Sequence, residues 1–226
     1  MESINESTVS IPLEMKPSLV KACYLKSLTH TDKLIDQILN IDTVSPVVMK
    51  SNPKTKFNDS IRYSGYSYLK LYRCLKHLKP SIYDTVFDIG CGMGRILCVF
   101  ARKPVRKCVG IEISSELARR AKDNAKRLSG RKAPIKILVV DAAEADYSKG
   151  TIYCLFNPFG TKTLRATIEC IHQSVIEHPR RIKVAYFNAA FENVLDSCDW
   201  LRCYRRQKCI FTKRWGTLSL WTNAGV

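Results

Sequence analysis

No Cys-x-x-Cys pair occurs in this chain, and histidine is scarce, with four in all. Zinc-ligand spacing cannot be assembled from that stock despite ten cysteines. Several cysteines instead sit in apolar runs, as in Leu97-Cys98-Val99 and Tyr153-Cys154-Leu155. There they read as small buried hydrophobes of a reduced, cytoplasmic protein. Apolar runs long enough for a bilayer, ~18 residues, are missing, so no membrane association is expected. Residues 1–17 carry Glu2, Glu6 and Glu14 and lack a basic stretch ahead of an apolar one, which excludes a secretory signal there. Internal repeats and a basic tail are also missing, which argues against solenoids and tail-borne charge.

What the chain does have is positive charge. Lys and Arg total 37 against 20 Asp and Glu, a net +17 over 226 residues. Such a field attracts polyanions, so RNA, DNA or an acidic protein is the expected partner class. The excess is spread along the chain, with two local concentrations. One is Arg119 to Lys132. The other is Arg202 to Arg214, where Trp200, Tyr204 and Phe211 are interleaved. Either could bind a phosphate backbone, and either could be an ordinary solvated face. The sequence leaves the oligomeric state open.

Apolar spacing predicts helices over 18–40 and 65–78, separated by a Ser-, Thr-, Asn-, Pro- and Lys-rich loop at 43–60. From residue 83 short apolar runs alternate with helices. Strands are predicted at 83–89, 107–113, 135–140, 151–156 and 182–187, with helices at 94–101, 114–128 and 164–176. Residues 209–211 and 218–221 read as a closing antiparallel pair. The expected fold is a doubly wound α/β, mostly parallel seven-stranded sheet. Residues 1–60 form an N-terminal helical extension and 61–226 the main domain.

The first strand ends in Asp88-Ile89-Gly90-Cys91-Gly92-Met93-Gly94-Arg95. A glycine turn between strand and helix lets a ligand approach the backbone and the helix N-terminus. The dinucleotide fingerprint needs a glycine at 95, and arginine stands there. An acid two residues before the first glycine would oppose a pyrophosphate but suits an ammonium group. S-adenosyl-L-methionine fits that demand. Glu112, ending the second strand, is placed to accept both ribose hydroxyls. Asp141, ending the third, is placed to reach the adenine amino group, with Ile113 and Ala142 flanking the ring.

This ordered set resembles the class I S-adenosylmethionine-dependent methyltransferases over roughly residues 60–226. The resemblance implies a Rossmann-like fold, methyl transfer without a metal, and a cofactor shell of Asp88, Gly90, Gly92, Gly94, Glu112, Ile113, Asp141 and Ala142. It also implies that residues 61–66 fold over the methionine end, with Tyr63 and Tyr66 closing the site. Asn157-Pro158-Phe159-Gly160 occupies the fourth-strand position beside the transferred methyl. It departs from the Asn-Pro-Pro-aromatic pattern of base amino-methylating enzymes at its last two positions. It also resembles the corresponding segment of Dot1-type protein lysine methyltransferases and their bacterial relatives. On that basis Asn157 and Phe159 are the catalytic candidates. The expected acceptor is an amine on a macromolecule. A catalytically silent cofactor-binding module and a small-molecule methyltransferase are the alternatives.

Overall fold

A computed structural model describes residues 19–45, 56, 57, 59, 65–207 and 217–223, with side chains from residue 29 onward. Two helices lead, α1 (Leu19–Leu39) and α2 (Tyr68–Leu78). Then come β1 (Thr85–Ile89), α3 (Arg95–Ala101), β2 (Lys107–Glu112), α4 (Ser115–Arg127) and β3 (Ile135–Val139). After a 3-10 turn at Ala142–Glu144 follow β4 (Ile152–Leu155), α5 (Thr161–Glu177) and β5 (Lys183–Phe187). The last elements are α6 (Glu192–Asp196), β6 (Leu201–Gln207) and β7 (Leu218–Asn223).

All seven strands join one sheet in the order β3-β2-β1-β4-β5-β7-β6. The pairs among β1 to β5 are parallel, and β7 runs antiparallel to both β5 and β6. The parallel strands β1 and β4 are buried along their whole length, as strands covered on both faces must be. From β1 the chain winds outward to β3, then returns to the other side of β1 at β4. That reversal opens a crevice at the C-terminal ends of β1 and β4, where ligands collect in such sheets.

Period-two alternation sorts the strand side chains into two cores. Val86, Cys108 and Cys154 face one layer with α2, α3 and α4, built on Leu71, Leu75, Leu97 and Ala121. Phe87, Val109 and Tyr153 face the other, with Leu164, Ile168 and Ile171 of α5 and Val194 of α6. Local chemistry places the helix starts. The Ser114 hydroxyl accepts from the Leu117 amide at 3.3 Å, Glu116 lies in the first turn of α4, and Lys126 and Arg127 lie in its last.

The closing pair differs from expectation. Its first strand is β6 at 201–207, upstream of the predicted 209–211, which lies outside the described residues. Arg202, Tyr204, Arg205 and Arg206 are exposed along it. As the edge strand of the sheet it lacks the apolar signature that periodicity detects, and charge discourages edge-to-edge pairing.

Arg95, in the first turn of α3, is 5% exposed. Its guanidinium pairs with Asp32 of α1 at 2.7 Å and donates to the Thr43 hydroxyl at 2.7 Å and the Tyr66 carbonyl at 2.9 Å. It also lies over the Tyr68 ring, 4.8 Å from the centroid. Next to it the buried Asp36 carboxylate accepts from the Thr43 amide at 2.6 Å, from the Thr43 hydroxyl and from the Tyr68 hydroxyl. Buried charges persist when paired and hydrogen-bonded in this way. The network ties α1 and the chain around residue 43 to the helix that starts at the glycine turn. Asn124 of α4 adds a second tie, donating to the carbonyls of Met93 at 2.9 Å and Asp42 at 2.8 Å.

Candidate functional site

The glycine turn lies at the crevice. Gly90, Gly92 and Gly94 all have positive φ, at 72°, 53° and 82°. At Gly90 a side chain is excluded twice over: the left-handed backbone disfavours one, and a Cβ there would lie 2.2 Å from the Pro158 Cβ. Gly94 caps α3, and its amide donates to the Cys91 carbonyl at 2.8 Å. The Cys91 thiol is buried within the turn, and burial, with Asp88 and Glu112 beside it, pushes it well above the ordinary thiol range. A thiol so held is a packing group, not a nucleophile.

Asp88 and Glu112 project onto the same sheet face, the one covered by α3 and α4. Glu112 accepts from the Gly92 amide at 2.8 Å and the Ser114 amide at 2.9 Å. It therefore holds the glycine turn and the start of α4 in addition to any ligand it meets. Burial pushes its carboxyl up, and those amides pull it back in part. Asp88 is 2% exposed, and among the described residues no donor reaches its carboxylate. Burial, and then the neighbouring Glu112, raise its carboxyl well above the ordinary range. An orphaned buried carboxylate beside a glycine turn is a place for a cation or a multiple donor.

Asp141 follows β3 and caps the 3-10 turn, accepting from the Ala143 amide at 2.9 Å. Its other oxygen accepts from the Lys56 amide at 2.9 Å. Ala142 is buried in the α5-side core, and Ile113 is half-buried. Tyr66 is buried against Phe156 and Phe187, with ring centroids at 5.1 and 4.7 Å. Tyr63 lies outside the described residues.

Asn157 and Asn188 end β4 and β5, and both are left-handed, with φ of 43° and 54°. Asparagine is among the few side chains that tolerate this backbone. The Asn157 amide donates to the Asn188 carbonyl at 2.6 Å and accepts from the Ala190 amide at 3.2 Å. Both its polar atoms are thus engaged with the loop after β5. Asn157 fixes that loop beside the crevice. Phe159 is 6% exposed and packs in the α5-side core with Ile89, Ala142 and Leu164. Its ring holds the Asn-Pro segment down from beneath.

Three contributors were not legible in the sequence. Asn188 carries no motif and shows itself only through its backbone. Lys56 and Asp59 sit in a stretch that reads as featureless loop. In the structure the Asp59 carbonyl accepts from the Gly160 amide at 2.8 Å, and its carboxylate takes the amide and hydroxyl of Thr163 in the first turn of α5. Residues 56 and 59 thereby link the ends of β3 and β4. Among the described residues no cluster of three or more metal-binding side chains exists, and no helix is long and apolar enough to cross a membrane.

Residues 86–176 match the family model described as a methyltransferase domain. A protein-lysine N-methyltransferase of Saccharolobus islandicus is 37% identical over 87 residues, which is 37% of this chain and 52% of that protein. The chain thus spans about half the length of this curated relative. Among solved structures, an RNA methyltransferase from Salinibacter ruber, in complex with S-adenosyl-L-homocysteine, superposes with a TM-score of 0.53. The match has 21% identity and covers 72% of this chain and 96% of that one. A SAM-dependent methyltransferase from Aquifex aeolicus superposes with a TM-score of 0.52 at 10% identity, covering 68% and 89%. At these identities the likeness is one of fold. Residues 86–176 are thus similar to a methyltransferase domain, and the sheet has the fold of S-adenosylmethionine-dependent methyltransferases.

Proposed function

We propose that this protein transfers the methyl group of S-adenosylmethionine to an amine on a macromolecule, with a protein lysine the favoured acceptor. The observation that carries the reading is the buried Asp88 carboxylate beside the glycine turn, which no donor among the described residues reaches. A ligand that brings positive charge and hydrogen-bond donors to this spot would hold it in the ionised form. The α-ammonium group of S-adenosylmethionine does both. Glu112 on the same face suits the ribose hydroxyls, and Asp141 suits the adenine amine. Bound there, the cofactor would supply a sulfonium-activated methyl: a neutral amine nitrogen would form the N–C bond as the S–C bond breaks, releasing S-adenosylhomocysteine and, from the methylated amine, a proton to solvent. The chain's own contribution is then to position and desolvate the partners. Asn157 holds the loop after β5 against the crevice. The lysine reading draws on the Saccharolobus relative and on the Asn-Pro-Phe-Gly segment, whose phenylalanine is buried and offers no exposed face to a planar base.

Two substitutions separate cofactor binding from transfer. Glu112→Ala weakens S-adenosylhomocysteine binding by about 2 kcal/mol, because charge-assisted bonds to hydroxyls are lost and the turn loses its anchor. Unchanged affinity by calorimetry would mean that the ribose is held elsewhere. Asn157→Ala leaves that affinity within about threefold and lowers transfer roughly a hundredfold, as when a positioning contact is lost. An equal loss of both would make it a cofactor residue. The proposal itself is tested by incubating the protein with methyl-labelled cofactor and cell extract, then digesting with protease or nuclease. Label that survives nuclease, is released by protease and is recovered as methyl-lysine supports it. Label released only by nuclease would move the acceptor to nucleic acid.

A further inference from the structure

The crevice accounts for the acids of the sheet but leaves the basic edge of the molecule unexplained. In β6, Arg202 and Arg205 sit opposite Thr222 and Leu220 of β7, and a bulge between Cys203 and Arg205 brings both arginines onto the α2 side of the sheet. Arg206, the next residue, turns the other way and pairs with Glu192 and Asp196. Arg202 and Arg205 are exposed, and none of the described ion pairs includes them. The bulge residue between them is Tyr204, 43% exposed.

Helix α2 completes the face. Its buried side is Tyr68, Leu71, Leu75 and Leu78. Lys70, Arg73 and His77, spaced i, i+3 and i+7, form a stripe on its flank. His77, on this flank, lies within electrostatic reach of Arg205 in β6. Partial desolvation and the charges of Arg205 and Lys76 hold His77 below the ordinary imidazole range, and Arg205 and Arg181 both act on the Tyr204 phenol. No Asp or Glu occurs in residues 65–83, 181–183 or 201–207. The acids that border these stretches in sequence are Asp84, already bonded to Ser81 and Thr151, and the exposed Asp199, three residues before Arg202.

We propose that this α2–β6 face docks single-stranded nucleic acid, with Arg73, Arg202 and Arg205 on the phosphates and Tyr204 stacked against a base. Arginine forks match phosphate oxygens in pairs. An aromatic ring set among cations is how proteins hold single strands without reading sequence. An acidic polypeptide would satisfy the charges but leave the Tyr204 face without a planar partner. The inference rests on this surface alone and stands apart from the identity of the methyl acceptor.

The test is fluorescence anisotropy of the full chain with a labelled single-stranded RNA and a DNA of the same sequence. Both bind, and affinity falls about twentyfold from 50 to 200 mM salt, as expected for about three phosphate contacts on a single strand. The double variant Arg202→Glu, Arg205→Glu loses at least about tenfold. Arg119→Glu with Lys122→Glu, on the basic face of α4, loses no more than about threefold. Calorimetry with S-adenosylhomocysteine gives unchanged affinity in both variants, which shows that they are folded and keeps this test separate from the methyl-transfer reading. Equal losses in the two variants would overturn the assignment of the surface. So would displacement of the RNA by polyglutamate at equal charge concentration, or no binding at all.

Discussion

Replacing Asp88 with asparagine weakens S-adenosylhomocysteine binding by about a hundredfold and raises the unfolding midpoint of the ligand-free protein. Both effects follow from one observation, a buried carboxylate that no donor among the described residues reaches. Removing one partner of a buried charge pair costs about 2–5 kcal/mol of binding, and a hundredfold is about 2.7 kcal/mol. In the ligand-free protein the same carboxylate is a burden. Its folded pKa stands above the unfolded value, so the fold binds the proton more tightly than the unfolded chain does. Ligand-free stability is therefore greatest at acid pH as far as this group is concerned, and it declines as pH rises from about 4 through the raised pKa. Glu112, also raised, contributes in the same direction. Asparagine abolishes the Asp88 part of that decline. A ligand ammonium favours the ionised carboxylate, so affinity weakens as pH falls through the raised pKa, and binding takes up fewer protons than it releases. Thermal melts of both proteins between pH 5 and pH 8 check the first effect, and calorimetry the second. A variant that melts lower than the parent would mean that Asp88 is held by partners in the folded chain.

The second large effect concerns Arg95. Arg95→Met removes the cation from a buried pair and leaves Asp32 uncompensated, with the Thr43 hydroxyl and the Tyr66 carbonyl robbed of their donor. Breaking such a pair costs about 3–5 kcal/mol. The unfolding midpoint in urea shifts accordingly, with an unchanged slope. Burial already raises the Asp32 carboxyl, against the pull of Arg95, so the variant's loss is largest at neutral pH, where an unpaired Asp32 would have to stay ionised or take up a proton. Adding Asp32→Leu recovers part of the loss, because an apolar pair of similar volume carries no buried charge. If Arg95→Met cost less than 1 kcal/mol, the α1 helix would not be docked through this network. The same variant asks whether the N-terminal segment matters to the crevice. Since Arg95 opens the helix that follows the glycine turn, weaker S-adenosylhomocysteine binding by a protein that is still folded would tie the two together.

The strands β1 to β5 were readable because each is a short apolar run bounded by Gly, Pro or polar residues, and helices α1 to α5 because their apolar spacing is regular; α6, five residues long, is too short to show a period. The acids Asp88, Glu112 and Asp141 were singled out in the sequence because each stands at or just past a strand end, and the structure places them there. Edge strand β6 was misplaced because, after the buried Leu201, it is mostly arginine, tyrosine and glutamine, chosen for exposure and not for burial. Arg95 was read only as a glycine that failed to appear. Its true partners, Asp32, Thr43 and Tyr66, lie 63, 52 and 29 residues away, and nothing local announces a pairing at that distance. Asn157 was found for its motif, yet the bonds it makes are to the backbone of Asn188 and Ala190, and such bonds depend on where β5 ends. Phe159 was singled out by the same motif, and the fold places it inside the core beneath α5.

The central claim is that Asp88, the glycine turn and Glu112 form a site for a nucleoside that carries an amino-acid ammonium group. Isothermal titration of the full chain with S-adenosylhomocysteine and, separately, with a nicotinamide dinucleotide tests it most directly. The account predicts a dissociation constant of about micromolar for the first, near −8 kcal/mol, and no heat of binding for the second. Binding of the dinucleotide without S-adenosylhomocysteine would contradict it.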